Sequence, residues 1–176
     1  MDAFGKLVGI VLFVAFLFII PVTKYTQHND SIMNNFVASE TNKFVSTVRN
    51  TGVITADQYN EFIEVLDSTN HVYNVEITHS SLIVNPEYTT SVAAGGSTTN
   101  LTSEYYVNVY ESTILKSLYE TPEAEYIMSK GDYISVKVSN KSKTLGTKML
   151  ELVFGHSINT PQIVAIYGGV IKDEGI

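Results

Sequence analysis

The chain has 176 residues, a formal net charge of -7 and no cysteine. This length allows one globular domain and an additional segment, but hardly two independent cores. The acidic balance and the single arginine exclude a nucleic-acid-binding protein, because phosphates require clustered positive charge.

The first predicted element is an apolar helix near the N-terminus. From Leu7 to Thr23 no side chain is charged, and a helix over this run has no polar face. The run lies at the short end of the about 17 to 25 residues that span a bilayer, so Lys6 and Lys24 are expected to reach toward the two interfaces. The residues that carry this prediction are Leu7, Ile10, Leu12, Phe13, Phe16, Leu17, Phe18, Ile20 and Pro21.

The apolar run has two other interpretations. A cleaved secretory signal also has a short apolar core, but here the leading segment carries Asp2 and one lysine, and no small-x-small cleavage pattern follows closely. A buried core helix would need more apolar sequence around it than this chain has. A membrane anchor is therefore expected, and flanking charge leaves its orientation open because Lys6 is matched by Lys24 and Lys43.

Helical patterning continues beyond Pro21, which bends a helix in a packed or membrane setting without ending it. Gly52 suits the left-handed residue that ends a helix, and Arg49 suits the negative end of the helix dipole. One long helix over residues 1–52 is therefore predicted. At 100 degrees per residue the stretch is amphipathic, and the residues predicted to pack against the head are Met33, Phe36, Val37, Phe44 and Val48.

Residues 53–176 predict a head that is exposed to water and contains short helices and strands. A capping box at Thr55 to Gln58 starts the first helix, and Val72 to His79 alternates as in a half-buried strand. Small polar residues over 87–103 predict an exposed loop. Residues 81–84 are expected to extend the strand over 72–79 or to pair with it, and Pro86 is expected to stop the run. Further helices are predicted over 112–119 and 147–154. Further strands are predicted over 105–110, 133–138 and 163–171, the last with Gly168 and Gly169 marking a bulge or an edge. The fold class is α+β, a long N-terminal helix followed by a small antiparallel sheet with helices.

No catalytic or metal-binding constellation is evident, so we predict a protein that is not an enzyme and has no cofactor. The four histidines lack the spacing of a helical metal pair and are expected at the surface or at an interface. No nucleophile elbow surrounds His79, Ser80 and Ser81, so these are expected to be polar residues at a strand end. The glycan-acceptor pattern occurs at Asn29, Asn100 and Asn140.

The tyrosines between residues 105 and 133 fit two settings equally well. Aromatic side chains are enriched in protein contact surfaces, and they also fill cores. Both interpretations stay open for Tyr105, Tyr106, Tyr110, Tyr119, Tyr126 and Tyr133.

The features from residue 1 to residue 52 resemble the type IV pilin family. The shared features are an apolar start, Pro21 near its end, an amphipathic continuation and a small α+β head. In that family the helices leave the membrane and pack into a filament core. The resemblance implies a structural subunit that binds lipid first and then polymerises with itself, with the help of pilus assembly machinery, into a filament at the cell surface. A helix suits both settings because it satisfies its own backbone groups.

The chain departs from the pilin family near its N-terminus, and two of its later segments show a second resemblance. Type IV pilins typically carry a glutamate near the start of the mature helix, whereas here Asp2 is the acid available for charge compensation at the N-terminus. The segments 131–136 and 166–169 look like proteins of Tad-type pilus or conjugation loci of Gram-positive bacteria. The alternative function is a membrane-anchored accessory or assembly component that binds a partner through its head.

Overall fold

The computed structural model describes the backbone of residues 3–87, 101–143, 147–148, 151–152, 155 and 164–172. Asp2, Asn100 and most of the predicted loop lie outside these residues, and the helix predicted over 147–154 is described only in part. The helices are α1 (Ala3–Thr51), α2 (Ala56–Asp67) and α3 (Glu111–Glu120), and the strands are β1 (Val53–Thr55), β2 (Tyr73–Glu87), β3 (Leu101–Tyr110), β4 (Glu125–Ile127), β5 (Tyr133–Asn140) and β6 (Val164–Val170). These elements confirm the predicted α+β class.

Helix α1 runs without interruption through Pro21 and ends at a glycine. Gly52 has φ of 70°, and its N–H donates to the carbonyl of Val48 at 2.8 Å, which is the predicted left-handed helix end. Arg49 joins this end of α1 to the end of β6. Its Nε donates to the carbonyl of Val170 at 3.1 Å, and its own carbonyl accepts from the N–H of Lys172 at 2.8 Å.

Helix α2 begins at the predicted capping box. The Oγ1 of Thr55 accepts from the N–H of Gln58 at 3.2 Å, and the Oε1 of Gln58 accepts from the N–H of Thr55 at 3.4 Å. The two reciprocal bonds satisfy backbone donors that a helix start leaves without partners. The helix then buries Tyr59, Phe62 and Leu66.

The main sheet is antiparallel, in the order β3-β2-β5-β6, and β2 is its longest strand. The prediction that Pro86 stops this strand is wrong, because β2 continues to Glu87 with Pro86 opposite Thr102. Lys141 donates to the carbonyl of Val72, so the even-numbered residues of β2 direct their backbone groups toward β5. Strand β5 pairs only as far as Ser80, and the missing N–H of Pro86 therefore deprives no described strand of a bond.

The core lies between the helices and one face of the main sheet. Residues of β5 alternate between buried and less buried, as the sequence predicts for a half-buried strand. Phe44 of α1 and Phe62 of α2 stack with ring centroids 4.6 Å apart. The second half of α1 is therefore part of the head, and its buried partners include Leu66, Ile77, Ile114, Leu118, Ile134, Val136 and Val138.

Strand β6 lies at the edge of the sheet. It keeps a one-to-one register with β5 through Gly168 and Gly169, so the two glycines mark an edge strand and not a bulge.

A Cβ on Gly168 would lie 2.7 Å from the carbonyl oxygen of Ile134. We expect Gly168→Ala to lower the free energy of unfolding by about 1–3 kcal/mol, because the backbone of β5 would have to shift. Urea denaturation of the chain in detergent measures this change.

Gly9→Ala is the matched control for that substitution. No atom outside the backbone of its own helix lies within 4 Å of the Cβ position of Gly9, so this variant is expected to unfold like the parent chain. Equal stability of the two variants would contradict the close approach at Gly168.

Candidate functional site

The apolar segment of α1, Ala3–Val22, is not covered by the head. It has 20 residues and a mean hydropathy of 2.6, and none of it is buried. Among the described helices it is the one long and apolar enough to cross a membrane. A core helix would be buried by its own chain, so the anchor and the signal sequence are the interpretations that fit. The predicted residues of this segment are all exposed, namely Leu7, Ile10, Leu12, Phe13, Phe16, Leu17, Phe18, Ile20 and Pro21.

The second half of α1 places one side in the core. Val37, Phe44 and Val48 are buried and Met33 is half-buried. Phe36 does not share this position, because it is 39% exposed. One residue turns a helix by about 100 degrees, which carries Phe36 out of the sector that Val37 occupies.

A second apolar line runs along α1 on a side that the head leaves uncovered. Tyr25, Ile32 and Phe36 are exposed, and their spacing of seven and four residues places them in one row. The row continues toward the N-terminus at spacings of three and four residues. We call the whole row the outward stripe; its members are Leu7, Val11, Val14, Phe18, Val22, Tyr25, Ile32 and Phe36.

The candidate glycan acceptors lie in two different environments. Asn29 is exposed in α1, between Tyr25 and Ile32 on the outward stripe, where a sugar would cover the stripe. Asn140 is buried, and its Oδ1 accepts from both the N–H and the hydroxyl of Ser142 at 2.8 Å. A sugar on Asn140 would require this turn to open.

A buried polar cluster joins β2, β4 and the turn before β5. The Nε2 of His79 lies 2.9 Å from the Oδ2 of Asp132, and its Nδ1 lies 2.8 Å from the hydroxyl oxygen of Tyr126. An ionised carboxylate only accepts, so Nε2 donates to Asp132. When the imidazole is neutral, its Nδ1 accepts from the hydroxyl of Tyr126. The prediction of histidines at the surface is wrong for His79, whose partners follow it by 47 and 53 residues.

The carboxylate of Asp132 is the centre of this cluster. It accepts from the backbone N–H of Leu82 and from that of Ser129, each at 2.9 Å. Leu82 lies just beyond the point where β5 stops pairing with β2, so the carboxylate replaces the next backbone partner. Burial would raise the pKa of Asp132, but the N–H groups of Leu82, Ser129 and His79 together hold it below its usual value. Burial and the charge of Asp132 raise the pKa of Tyr126.

The order hydroxyl, imidazole and carboxylate is that of a nucleophilic triad, but the bonds here serve to connect segments. Every buried side-chain nitrogen and oxygen in the described part of the chain has a hydrogen-bond partner. Within the same residues no three histidine, aspartate or glutamate side chains form a metal-binding group. We therefore interpret the cluster as a structural hydrogen-bond network that holds β4 and the turn before β5 against β2.

Comparisons of the chain with protein-family models, curated proteins and solved structures find no match. Its function must therefore be inferred from its own residues.

Proposed function

We propose that this protein is a structural subunit of an extracellular pilus-like filament and that it polymerises through α1. The outward stripe is the observation that carries the proposal, because it continues past Pro21 as far as Phe36. A helix that only anchors needs an apolar length of about 30 Å, which Ala3–Val22 already supplies. From Tyr25 to Phe36 the stripe continues for roughly 16 Å at 1.5 Å per residue, with Asn29 as a polar position between Tyr25 and Ile32.

A neighbouring copy of α1 fits this additional surface. Burying the exposed part of Tyr25, Ile32 or Phe36 contributes on the order of 1 kcal/mol each, and every subunit contact supplies such side chains from both copies. Spacings of three and four residues are those at which two helices align their apolar rows. Gly5 and Gly9 lie on the side of α1 opposite the outward stripe and leave room there for a further helix, because no atom outside their own helical backbone lies within 4 Å of their Cβ positions.

The apolar segment has two environments in this proposal. Before assembly, lipid surrounds it, and association between such helices in lipid has no hydrophobic driving force. During assembly, the pilus machinery transfers the subunit out of the bilayer, and the segment exchanges lipid for the helices of other copies. The protein then resides at the cell surface or in the extracellular filament, with its head outward and without a catalytic role.

The second candidate is a membrane-anchored accessory component that binds another protein through its head. The exposed tyrosines of β3, Tyr105, Tyr106 and Tyr110, favour this candidate. Shearing of intact cells separates the two functions. Abundant homopolymer in the sheared material supports the filament subunit, and full retention in the membrane fraction supports the accessory component.

Ile32→Asp tests the part of the outward stripe that lies beyond the bilayer. We expect at least a tenfold lower yield of sheared polymer, because the cost of burying an unpaired carboxylate in a helix contact that otherwise has no charge exceeds about 1.4 kcal/mol. The protein is expected to stay in the membrane fraction with a folded head, since Ile32 is exposed and outside the apolar segment.

The matched control is Asn34→Asp, which places the same charge two residues away on another side of α1. Its polymer yield is expected to equal that of the parent chain. Normal filaments from Ile32→Asp would contradict the proposal that the stripe packs against neighbouring helices.

A further inference from the structure

We infer that a groove between α1 and α2 receives Tyr25 and Lys24 of a neighbouring copy that is displaced along the helix axis. This contact rests on the proposed function and extends it, because it specifies the register in which the α1 helices of two copies pack.

The groove is a surface feature of the head with a volume of about 90 Å³. Its floor is aromatic, because the stacked and buried rings of Phe44 from α1 and Phe62 from α2 line it. Charged side chains form part of its rim, namely Glu40, Lys43 and Glu61.

The position of this α1–α2 groove continues the outward stripe beyond Phe36. Glu40 follows Phe36 by four residues, and Lys43 follows Glu40 by three. Such spacings keep the side chains on one side of a helix. A helix of a neighbouring copy that packs along the stripe therefore reaches the groove.

The rim of the groove carries an acidic group that its own chain leaves without a partner. The carboxylate of Glu40 lies 3.7 Å from the Nζ of Lys43, so these two charges offset each other. Glu61 is exposed and forms no ion pair with any residue that the structure describes. A cation from another copy therefore complements the charge of the groove.

Lys24 supplies this cation on the neighbouring α1. It lies two positions beyond the apolar segment, it is exposed, and among the described side chains it has no ion-pair partner. The next residue, Tyr25, belongs to the outward stripe and is 67% exposed. An aromatic ring beside a cation matches a groove with an aromatic floor and an acidic rim.

The two partners lie on opposite flanks of the outward stripe. At 100 degrees per residue, Phe44 is turned from Phe36 by about 80 degrees in one sense, and Lys24 is turned by about 120 degrees in the other. Around a filament axis, one flank of each α1 faces the opposite flank of the next copy. The groove of one subunit therefore faces the side of α1 that carries Lys24 in its neighbour.

The contact requires the two copies to be displaced along α1. Lys24 and Lys43 are 19 positions apart, which is roughly 28 Å of helix at 1.5 Å per residue. The same displacement brings Ile32 and Phe36 of one copy to the level of Phe13 and Leu17 of the other, so the stripe still meets apolar side chains. Copies anchored at one depth in a membrane do not form this contact.

Charge reversal in the full-length protein tests the pairing. Glu61→Lys and Lys24→Glu are each expected to lower the yield of sheared polymer by about threefold or more, because attraction at the rim becomes repulsion. Lys24→Glu combined with Glu61→Lys restores opposite charges, and its yield is expected to return to within about twofold of the parent yield. Each yield is measured relative to the amount of subunit in the membrane fraction.

Glu64→Lys is the matched control for the charge change on α2. Glu64 is exposed three residues beyond Glu61 and does not line the groove, so its reversal is expected to leave the yield unchanged. Equal losses from Glu64→Lys and Glu61→Lys would overturn the assignment of the groove, and so would a double variant as poor as the single ones. Unfolding curves that match the parent curve confirm that the variant heads are folded.

Cross-linking between two single-cysteine variants tests the displacement. The parent chain has no cysteine, so cells that produce Tyr25→Cys and Thr47→Cys with different epitope tags contain only the introduced thiols. Thr47 lines the groove and lies roughly 33 Å along α1 from Tyr25. A short bismaleimide is therefore expected to produce a dimer with both tags in sheared filaments and none in membranes, where copies share one depth.

Asn42→Cys in place of Thr47→Cys is the control for the flank. Asn42 is exposed near the level of the groove but on the flank of α1 that carries Lys24. We expect at least about fivefold less of the dimer with both tags, because the two thiols then lie on the same flank of their helices. Equal dimer from both combinations would overturn the proposed register.

The outcomes separate this contact from the proposed function. Sheared polymer from the parent without rescue by the double variant, or without the dimer of Tyr25→Cys and Thr47→Cys, overturns the groove contact and leaves polymerisation through α1 intact. A loss with Glu61→Lys that Lys24→Glu does not rescue assigns the groove to another component. Absence of sheared polymer from the parent overturns the filament subunit and this contact with it.

Discussion

Asp132→Ala is expected to lower the free energy of unfolding of the head by about 3–5 kcal/mol, which is a large fraction of the stability of a small domain. The substitution leaves three donors without their acceptor: the Nε2–H of His79, which is buried, and the N–H groups of Leu82 and Ser129, whose bonds to the carboxylate are partly buried. An unsatisfied buried donor costs about 1–3 kcal/mol. Urea denaturation followed by tyrosine fluorescence measures the loss, since the chain has 11 tyrosines and no tryptophan.

Glu123→Ala is the control for the loss of a carboxylate. Glu123 is exposed in the segment between α3 and β4, and its removal is expected to change stability by less than about 0.5 kcal/mol. If Asp132→Ala changed the free energy of unfolding as little as Glu123→Ala does, the buried cluster would not hold the segments together.

The stabilisation that the carboxylate of Asp132 gives to the fold is expected to decrease at acid pH. Its folded-state pKa lies below the usual value of 3.8, so the carboxylate stabilises the fold fully above that value. This contribution is lost as pH falls below about 3.8 and through the folded-state pKa. The stability difference between the parent chain and Asp132→Ala should therefore shrink at acid pH, and a difference that grows would contradict this account.

Phe16→Asp is expected to abolish assembly and to weaken membrane insertion. Phe16 lies well within the apolar segment, and an aspartate at the centre of a spanning helix costs about 2.5–3.5 kcal/mol, or roughly a hundredfold in the insertion equilibrium. The head should remain folded, because no part of the apolar segment is buried against it. Membrane fractionation, yield of sheared polymer and the unfolding curve of the head measure the three effects.

Phe16→Leu is the matched control, since it keeps an apolar side chain at the same position and should assemble normally. Filaments of normal yield from Phe16→Asp would refute polymerisation through this segment.

Mass spectrometry of the N-terminus of the mature protein separates the anchor from a cleaved signal. Loss of the whole apolar segment from the mature chain would identify a signal sequence.

Several elements could be predicted because their causes are local in sequence. The capping box needs Thr55 and Gln58 within one helical turn, and the helix end needs only the left-handed conformation of Gly52. The alternation in β5 follows from the period of two in a strand. Each of these features depends on residues at most four positions apart.

The wrong predictions concern residues whose surroundings come from distant parts of the chain. Proline is excluded from a strand only where a neighbouring strand needs its N–H, and at Pro86 strand β5 has already ended. His79 resembles a polar strand residue in the sequence, and its burial depends on Tyr126 and Asp132. Phe36 is next to a buried residue in sequence, but the head covers only one side of α1.

The sequence by itself determined the apolar segment, the length of α1 and the α+β class, because composition, hydrophobic period and helix-end residues act over short distances. Only the tertiary structure decided the strand order, the buried cluster around Asp132 and the side of α1 that stays uncovered. These features arise when segments about 50 residues apart meet, and such meetings depend on which apolar faces the whole chain can bury together. The outward stripe depends on both, because its spacing is present in the sequence and its exposure depends on where the head packs.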